Sequence, residues 1–333
     1  MSIKVTLIPG DGIGPEVSAA SQRVITASGA GIEWEIVEAG EACIAQYGTP
    51  LPEHVLDTIR RNKVALKGPV TTPVGKGFRS VNVSLRQQLQ LYANVRHMKN
   101  LPNVASRYEE VDIVVVRENT EDLYAGIEHM VGRDAAESIK IITREASERI
   151  GRYGFELARR EGRKRVTIVH KANIMKLSDG LFLESIRSVA RDYPEIVCDD
   201  RIVDAMCMNL VQTPEQFDVL VLPNLYGDII SDLVAGLVGG LGVAPGANIG
   251  EMYAVFEAAH GSAPQIAGKN LANPLAMIMS GVEMLKYLGY EKEAQRVEKG
   301  METVLRQGEY ITPDLGGQAG TKEMASAIIA AMA

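Results

Sequence analysis

The chain has 333 residues, 46% hydrophobic and 23% charged, a globular balance long enough for two domains. Its net charge of -7 excludes a global basic footprint for nucleic acid, so an anionic ligand would need a local arginine cluster. Cys43, Cys198 and Cys207 are odd in number and lack metal-ligand spacing, so reduced thiols in a cytoplasmic protein are expected.

In chain order, periodicity predicts strand 3–8, helices 15–28 and 52–62, strand 64–66, helix 85–92, strands 112–116 and 139–143, helix 145–161, strand 165–169, helix 178–193, strand 219–222, helix 228–238, strand 254–256, and helices 274–288 and 291–307. Pro15 and Pro52 suit a first helical position. The alternation argues for an α/β architecture with sheets covered on both faces. No helix is expected between 124 and 143, where Ile139-Lys140-Ile141-Ile142 reads as a short antiparallel or interface strand. The first strand begins without a basic and apolar leader, so no signal peptide is expected. The apolar stretch 233–245 is broken by glycines and too short to span a bilayer.

Pro9-Gly10-Asp11-Gly12-Ile13-Gly14-Pro15 follows a strand and opens a helix, as a dinucleotide-binding turn does. Its spacing is G-x-G-x-G instead of G-x-G-x-x-G, and Pro15 removes an N–H that a phosphate could use. The plainer reading is a turn that needs positive φ at several positions.

Asp228 and Asp232 follow strand 219–222, past a turn expected at 223–227. Spaced i,i+4, they share a helix face and could hold a hard divalent cation with positions open for a substrate. Acids favoured at a helix N-terminus are the alternative. Arg86, Arg96 and Arg117 lie near element ends. Together their forks would suit a polycarboxylate, and singly each reads as an ion pair. Lys171 follows strand 165–169, where a desolvated lysine can move protons; a solvated loop lysine is the alternative. Asp204 is a third candidate carboxylate or an N-cap. His260 lies in Glu257-Ala258-Ala259-His260-Gly261-Ser262-Ala263-Pro264, a loop whose small residues allow close ligand approach.

Four segments occur in order: Ile8 to Gly14, Asn224-Leu225-Tyr226-Gly227-Asp228-Ile229-Ile230-Ser231-Asp232, His260 to Pro264, and Asp314-Leu315-Gly316-Gly317. With them the chain resembles, over nearly its whole length, the decarboxylating dehydrogenases of isocitrate, homoisocitrate and 3-isopropylmalate. The resemblance implies a two-domain α/β fold with parallel and mixed sheets, not a standard Rossmann domain. Residues 1–92 and 240–333 would form a cofactor-side domain, and 93–239 a middle domain with a dimer clasp at about 124–143. It also implies a homodimer with shared active sites and no nucleic-acid or membrane partner.

Carried over by position, Asp228 and Asp232 resemble metal ligands of one subunit, with Asp204 supplied by the other. Arg86, Arg96 and Arg117 match a substrate carboxylate clamp. Ser80 and Asn82 match positions that touch the distal carboxylate of isocitrate. Tyr124 and Lys171 match the catalytic acid/base pair, Lys171 from the neighbouring subunit. Asn173 would lie beside substrate and nicotinamide. Lys67 and Thr72, in the segment from Lys67 to Pro73, would line the nicotinamide. Glu257, His260, Gly261, Ser262, Ala263, Pro264, Gln265, Ile266 and Asn273 match the cofactor loop.

The implied activity is oxidative decarboxylation of isocitrate to 2-oxoglutarate and CO2, with NAD and Mg2+ or Mn2+. Polar Ser80 and Asn82 favour isocitrate over 3-isopropylmalate, whose branched alkyl group needs apolar neighbours. Homoisocitrate, one methylene longer, is the nearer alternative. NADP-dependent relatives carry Lys-Tyr after Pro264, whereas Gln265-Ile266 points to NAD with loosened discrimination. A non-catalytic regulatory subunit is the alternative of another class, and retention of Tyr124, Lys171, Asp204, Asp228 and Asp232 argues against it. His97 stands where the family usually has proline, and nothing in the sequence explains it.

Overall fold

The computed structural model describes residues 2–72 and 80–332. The chain first forms β1 (Ile3–Ile8), α1 (Gly14–Ala27), β2 (Ile32–Ile36), α2 (Ala42–Tyr47), α3 (Glu53–Asn62), β3 (Val64–Lys67) and α4 (Val81–Gln88). It continues through β4 (Ala93–Lys99), β5 (Asp112–Glu118), β6 (Glu128–Val131), β7 (Ala135–Ser138), α5 (Arg144–Glu161), β8 (Arg165–His170), α6 (Ser178–Ala190), β9 (Val197–Ile202), α7 (Val203–Gln212), β10 (Val219–Leu222) and α8 (Asn224–Leu237). It closes with β11 (Pro245–Ile249), β12 (Ala254–Ala258), α9 (Leu275–Tyr287), α10 (Glu291–Gln307) and α11 (Thr321–Ala331). These elements fall into two compact units. One is Met1–Leu89, Asn100–Arg107 and Val238–Ala333, and the other is Gln90–Lys99 and Tyr108–Leu237.

In the first unit the strands run β2-β1-β3-β12-β11, with β11 and β12 antiparallel and the other pairs parallel. In the second they run β4-β5-β10-β8-β9, with β4 and β5 antiparallel and the rest parallel. The central strands are covered on both faces, which is why they read as unbroken apolar runs rather than alternating ones. Val219, Leu220, Val221 and Leu222 of β10 and Val114, Val115 and Val116 of β5 are fully buried. In the first unit α9 is apolar on almost every side, and α1 and α10 pack against it. In the second, α5 packs on α6, with Phe155 stacked on Tyr193 just beyond α6 at 5.1 Å between centroids. No described helix is long and apolar enough to cross a membrane.

The structure departs from the predicted elements in places that matter for the site. Residues 223–227 are not a turn: α8 starts at Asn224, so Asp228 sits one turn inside it and not at its N-terminus. Gly227 belongs in that first turn because a Cβ there would collide with the Arg117 side chain. Helix 85–92 starts earlier, at Val81, because Ser80 caps it and accepts the Val83 N–H at 3.5 Å. Asp204 does not cap α7; it lies in the first turn, after Ile202. Residues 139–143 make no strand beyond one bridge from Ile141 to Asp122. The hairpin lies just before, as β6 and β7, and every residue of both strands is exposed. Periodicity also missed β2, β4, β9, β11, α2, α7 and α11. β4 and β9 carry charged residues inside a sheet, and β11 opens on Pro-Gly, so none shows an apolar run.

Candidate functional site

In the second unit β5 delivers Arg117 to its C-terminal end, where the side chain is 1% exposed. A buried guanidinium must be met by acceptors. Its Nε and Nη2 donate to Asn224 Oδ1 at 2.9 and 2.7 Å, and Nη1 pairs with Asp228. Tyr124, in the 3-10 turn Leu123–Ala125, lies against the Arg117 guanidinium at 4.9 Å and donates from its hydroxyl to Asp228 Oδ2 at 2.6 Å. Burial, and then the Asp228 hydrogen bond, push the Tyr124 phenol above its ordinary pKa, so it stays protonated at neutral pH. One turn along α8, Asp232 takes Arg96 of β4 at 2.7 Å. The two aspartates keep 40% and 56% of their side chains exposed, so each carboxylate holds an arginine and still meets solvent. Two carboxylate side chains are a donor set for a hard cation, though not a complete one.

Lys171 opens the turn after β8. Its N–H donates to Asp179 Oδ2 at 2.6 Å, and the next N–H, of Ala172, donates to His170 Nδ1 at 3.0 Å. That bond leaves the proton on His170 Nε2, which donates to Asp200 Oδ2 at 3.0 Å. The Lys171 ammonium pairs with Asp204, whose carboxyl it holds below the usual range. Asn173 is exposed in the same turn. Among the described residues, no three acidic, histidine or cysteine side chains gather as a metal-holding group, so one chain does not bring Asp204 to Asp228 and Asp232.

The first unit holds the remaining predicted residues. Lys67 is buried, pairing with Glu257 at 2.7 Å and donating to the Gly68 carbonyl at 2.9 Å. Glu257 also accepts from Asn248 at 2.7 Å and faces Arg86 at 3.4 Å. Burial alone would raise its pKa, but Lys67 and Arg86 outweigh that and hold it at about 2. On α4, Asn82 Oδ1 and Arg86 Nε are buried without a hydrogen-bond partner among the described residues. Ser80 Oγ accepts from Thr72 Oγ1 at 3.3 Å. Pro73, at the end of the predicted nicotinamide segment, lies outside the described residues.

The glycine-rich turn is no phosphate cradle. The Asp11 and Ile13 N–H groups are spent on Pro69 and Ser262 carbonyls at 2.7 and 2.8 Å. Gly10 and Gly12 have φ of +82° and +60°, and a Cβ on either would strike those same carbonyls. The turn therefore packs against the 262 segment, whose Ser262 hydroxyl meets Thr71 Oγ1 at 2.9 Å. Beside it, His260 Nδ1 donates to the Gly261 carbonyl at 3.0 Å, which leaves Nε2 a buried acceptor without a partner among the described residues. Burial lowers the His260 pKa, so the ring is neutral. A Cβ on Gly261 would meet no described atom within 4 Å. Ala263 at φ +36° leads into the 3-10 turn Pro264–Ile266, on which Gln265 is exposed. Asn273 is tied down by Asp314 at 2.9 Å and the Leu275 N–H at 2.9 Å. Sequence reasoning gave no role to Asn224, His170 or Asp179. Asn224 alone left a signal, as a polar amide directly after a buried strand.

The isocitrate/isopropylmalate dehydrogenase family model matches residues 4–328. The chain is 52% identical over 327 residues to an Arabidopsis thaliana mitochondrial isocitrate dehydrogenase (NAD) catalytic subunit, covering 98% of this chain and 87% of that one. It is 52% identical over 297 residues to a chloroplastic 3-isopropylmalate dehydrogenase of Solanum tuberosum, covering 89% and 83%. The crystal structure of isocitrate dehydrogenase from Methylococcus capsulatus superposes with a TM-score of 0.96 at 54% identity, covering 99% of both chains. With fold and sequence agreeing over nearly its whole length, the chain is a decarboxylating dehydrogenase and belongs to the isocitrate/isopropylmalate dehydrogenase family.

Proposed function

We propose that this chain oxidatively decarboxylates isocitrate to 2-oxoglutarate and CO2, passing the hydride to NAD. The observation that carries the reading is the outward-facing Asp228 and Asp232 pair, backed by Arg117, Arg96 and the protonated Tyr124. Both aspartates offer hard oxygen donors, which suits Mg2+ or Mn2+. When bound there, such a cation would acidify the C2 hydroxyl and stabilise developing negative charge as a Lewis acid. Arg86, Arg96 and Arg117 would orient the substrate carboxylates. Asn82, with its buried unpartnered amide oxygen, and Ser80 would meet the distal carboxylate, the amide turning to offer its N–H groups. Lys171, in its neutral amine form, would take the C2 hydroxyl proton, and the Tyr124 hydroxyl would protonate the enol carbon after CO2 leaves. His260 Nε2, buried here, would accept from an adenine amine only after the loop exposes it, and exposed Gln265 can bond a ribose hydroxyl.

We further infer a homodimer in which Asp204 and Lys171 serve the partner's site. Met208 and Val211 of α7 and Ile229 of α8 are 52%, 45% and 55% exposed, and Met130 of the fully exposed hairpin is 60% exposed. An isolated two-stranded hairpin is marginal in water, so this apolar surface calls for a second copy. The relative named for 3-isopropylmalate keeps that substrate as a second reading, disfavoured by polar Ser80 and Asn82. The test is to assay the purified chain with isocitrate, homoisocitrate and 3-isopropylmalate, each with NAD and NADP and with Mg2+ or Mn2+. The largest kcat/KM should fall on isocitrate with NAD. A larger value for another substrate displaces the reading, and an inactive single chain would make it a regulatory subunit.

A further inference from the structure

Asp122 occupies a backbone region that side chains shun. Its φ of +70° and ψ of -150° belong to conformations essentially reserved for glycine. It is also fully buried. A carboxylate kept at such a position must do something glycine cannot. Its two oxygens accept the Leu123 N–H and the Leu225 N–H, each at 2.9 Å. The first opens the turn that carries Tyr124, and the second lies in the first turn of α8, which carries Asp228 and Asp232. Lys140 stands 3.7 Å away, 13% exposed. The same ammonium pairs at 2.7 Å with Asp179, another fully buried carboxylate, and lies 4.4 Å over the Tyr226 ring. Asp179 in turn holds the Lys171 N–H. The segment around Lys140, which makes no strand, is anchored where the Asp122 N–H donates to the Ile141 carbonyl at 2.8 Å.

We propose that the buried Asp122–Lys140–Asp179 bridge is a positioning device. It fixes the Tyr124 turn, the start of α8 and the Lys171 turn as one block. A cation only 13% exposed between two buried acids is costly to leave half-paired, so the three elements move together or not at all. The proposal rests on the reading of Tyr124 and Lys171 as acid and base.

Lys140→Met removes the cation. It should lower kcat between about ten- and a hundredfold, the usual cost of a lost supporting group, with KM for isocitrate held within about threefold. Hydrogen–deuterium exchange should rise together at 123–126 and 171–177. Lys140→Arg, which keeps the charge, should recover most of the kcat. Parental kcat in Lys140→Met, or exchange that rises at one turn only, overturns the proposal. Asp122→Gly is the second arm. It relieves the backbone and removes the carboxylate, so a purely local role predicts parental kcat and equal or higher Tm. The proposal predicts the same kcat loss as Lys140→Met, and this arm carries the test should Lys140→Met not fold. Tyr124→Phe and Lys171→Met separate the two failures. If they stay active, the acid–base reading falls. If they are inactive while Lys140→Met and Asp122→Gly are not, only the bridge falls.

Discussion

In the second unit, Asp228 and Asp232 answer the buried Arg117 and Arg96 while keeping 40% and 56% of their own side chains exposed. In the first, Glu257 answers Lys67 and Arg86 with all three side chains at 11% exposure or less. The side-chain types are nearly the same, and what differs is the side of the pair that meets water. Where the cations are buried and the acids stand half outside, the acids can share oxygen with a ligand. Where the acid is buried, Lys67, Asn248 and Arg86 converge on its oxygens, and it anchors them. The first arrangement is suited to chemistry, the second to holding Arg86 in place on α4.

Substitutions should separate these roles. Asp228→Asn should lower kcat/KM for isocitrate about a thousandfold, roughly 4 kcal/mol of transition-state stabilisation, with only a modest fall in Tm. Near-parental rates at low metal concentration would remove Asp228 from the ligand set. Glu257→Gln should do the reverse. It leaves Lys67 and Arg86 as buried cations without their anion, a loss of about 3 kcal/mol in chemical unfolding. Pairing it with Lys67→Met should return part of that stability, and if it does not, the Lys67–Glu257 pair is not the source of the loss.

How much of this was legible in the sequence follows the range of each interaction. The i,i+4 spacing of Asp228 and Asp232 and the apolar run of β10 are local, and both could be read directly. The pairing of Arg117 with Asp228 closes over 111 residues, so the arginines could be gathered as a set but not assigned partners. The true start of α8 was hidden for the same reason. Asn224 is held by Arg117 and by a bond from its amide to the Glu121 carbonyl, not by local propensity. The burial of Lys67 against Glu257 was not legible, because nothing in a sequence marks a lysine as buried. The β6–β7 hairpin left no pattern because none of its residues is buried. Asp122 gave no warning of its conformation, since only glycine advertises positive φ.

The two units also hold buried acids with opposite pH behaviour. Glu257 is depressed from 4.5 to about 2, so its contribution to stability is present above pH 4.5 and lost as pH falls toward 2. Glu121 is 9% exposed. Burial raises it from 4.5 to about 7 despite hydrogen bonds from Thr143. Its contribution is present below pH 4.5 and lost as pH rises through 7. Thermal unfolding across pH should show both. Glu121→Gln, a fixed mimic of the protonated acid, should flatten the decline above pH 4.5, and Glu257→Gln should flatten the one below it. A Glu121→Gln profile parallel to the parent's would mean that Glu121 binds its proton no more tightly in the folded chain than in the unfolded one.

The smallest expected effect lies on the exposed loop beside His260. Gln265 can bond a ribose hydroxyl but does not repel a 2′-phosphate. Gln265→Asp adds a charge at an exposed position, where like-charge repulsion at contact distance is worth about 1 to 2 kcal/mol in a water-like medium. The NAD over NADP preference in kcat/KM should therefore rise about tenfold, mostly through a weaker NADP reaction. Because the position is exposed, salt should erode the gain, and the ratio should fall back toward the parental one as ionic strength approaches about 1 M, where the screening length is about 3 Å. A gain that survives high salt would mean that the introduced carboxylate acts through a bond to the ribose and not through charge. No gain at any salt would place the cofactor's ribose away from this turn.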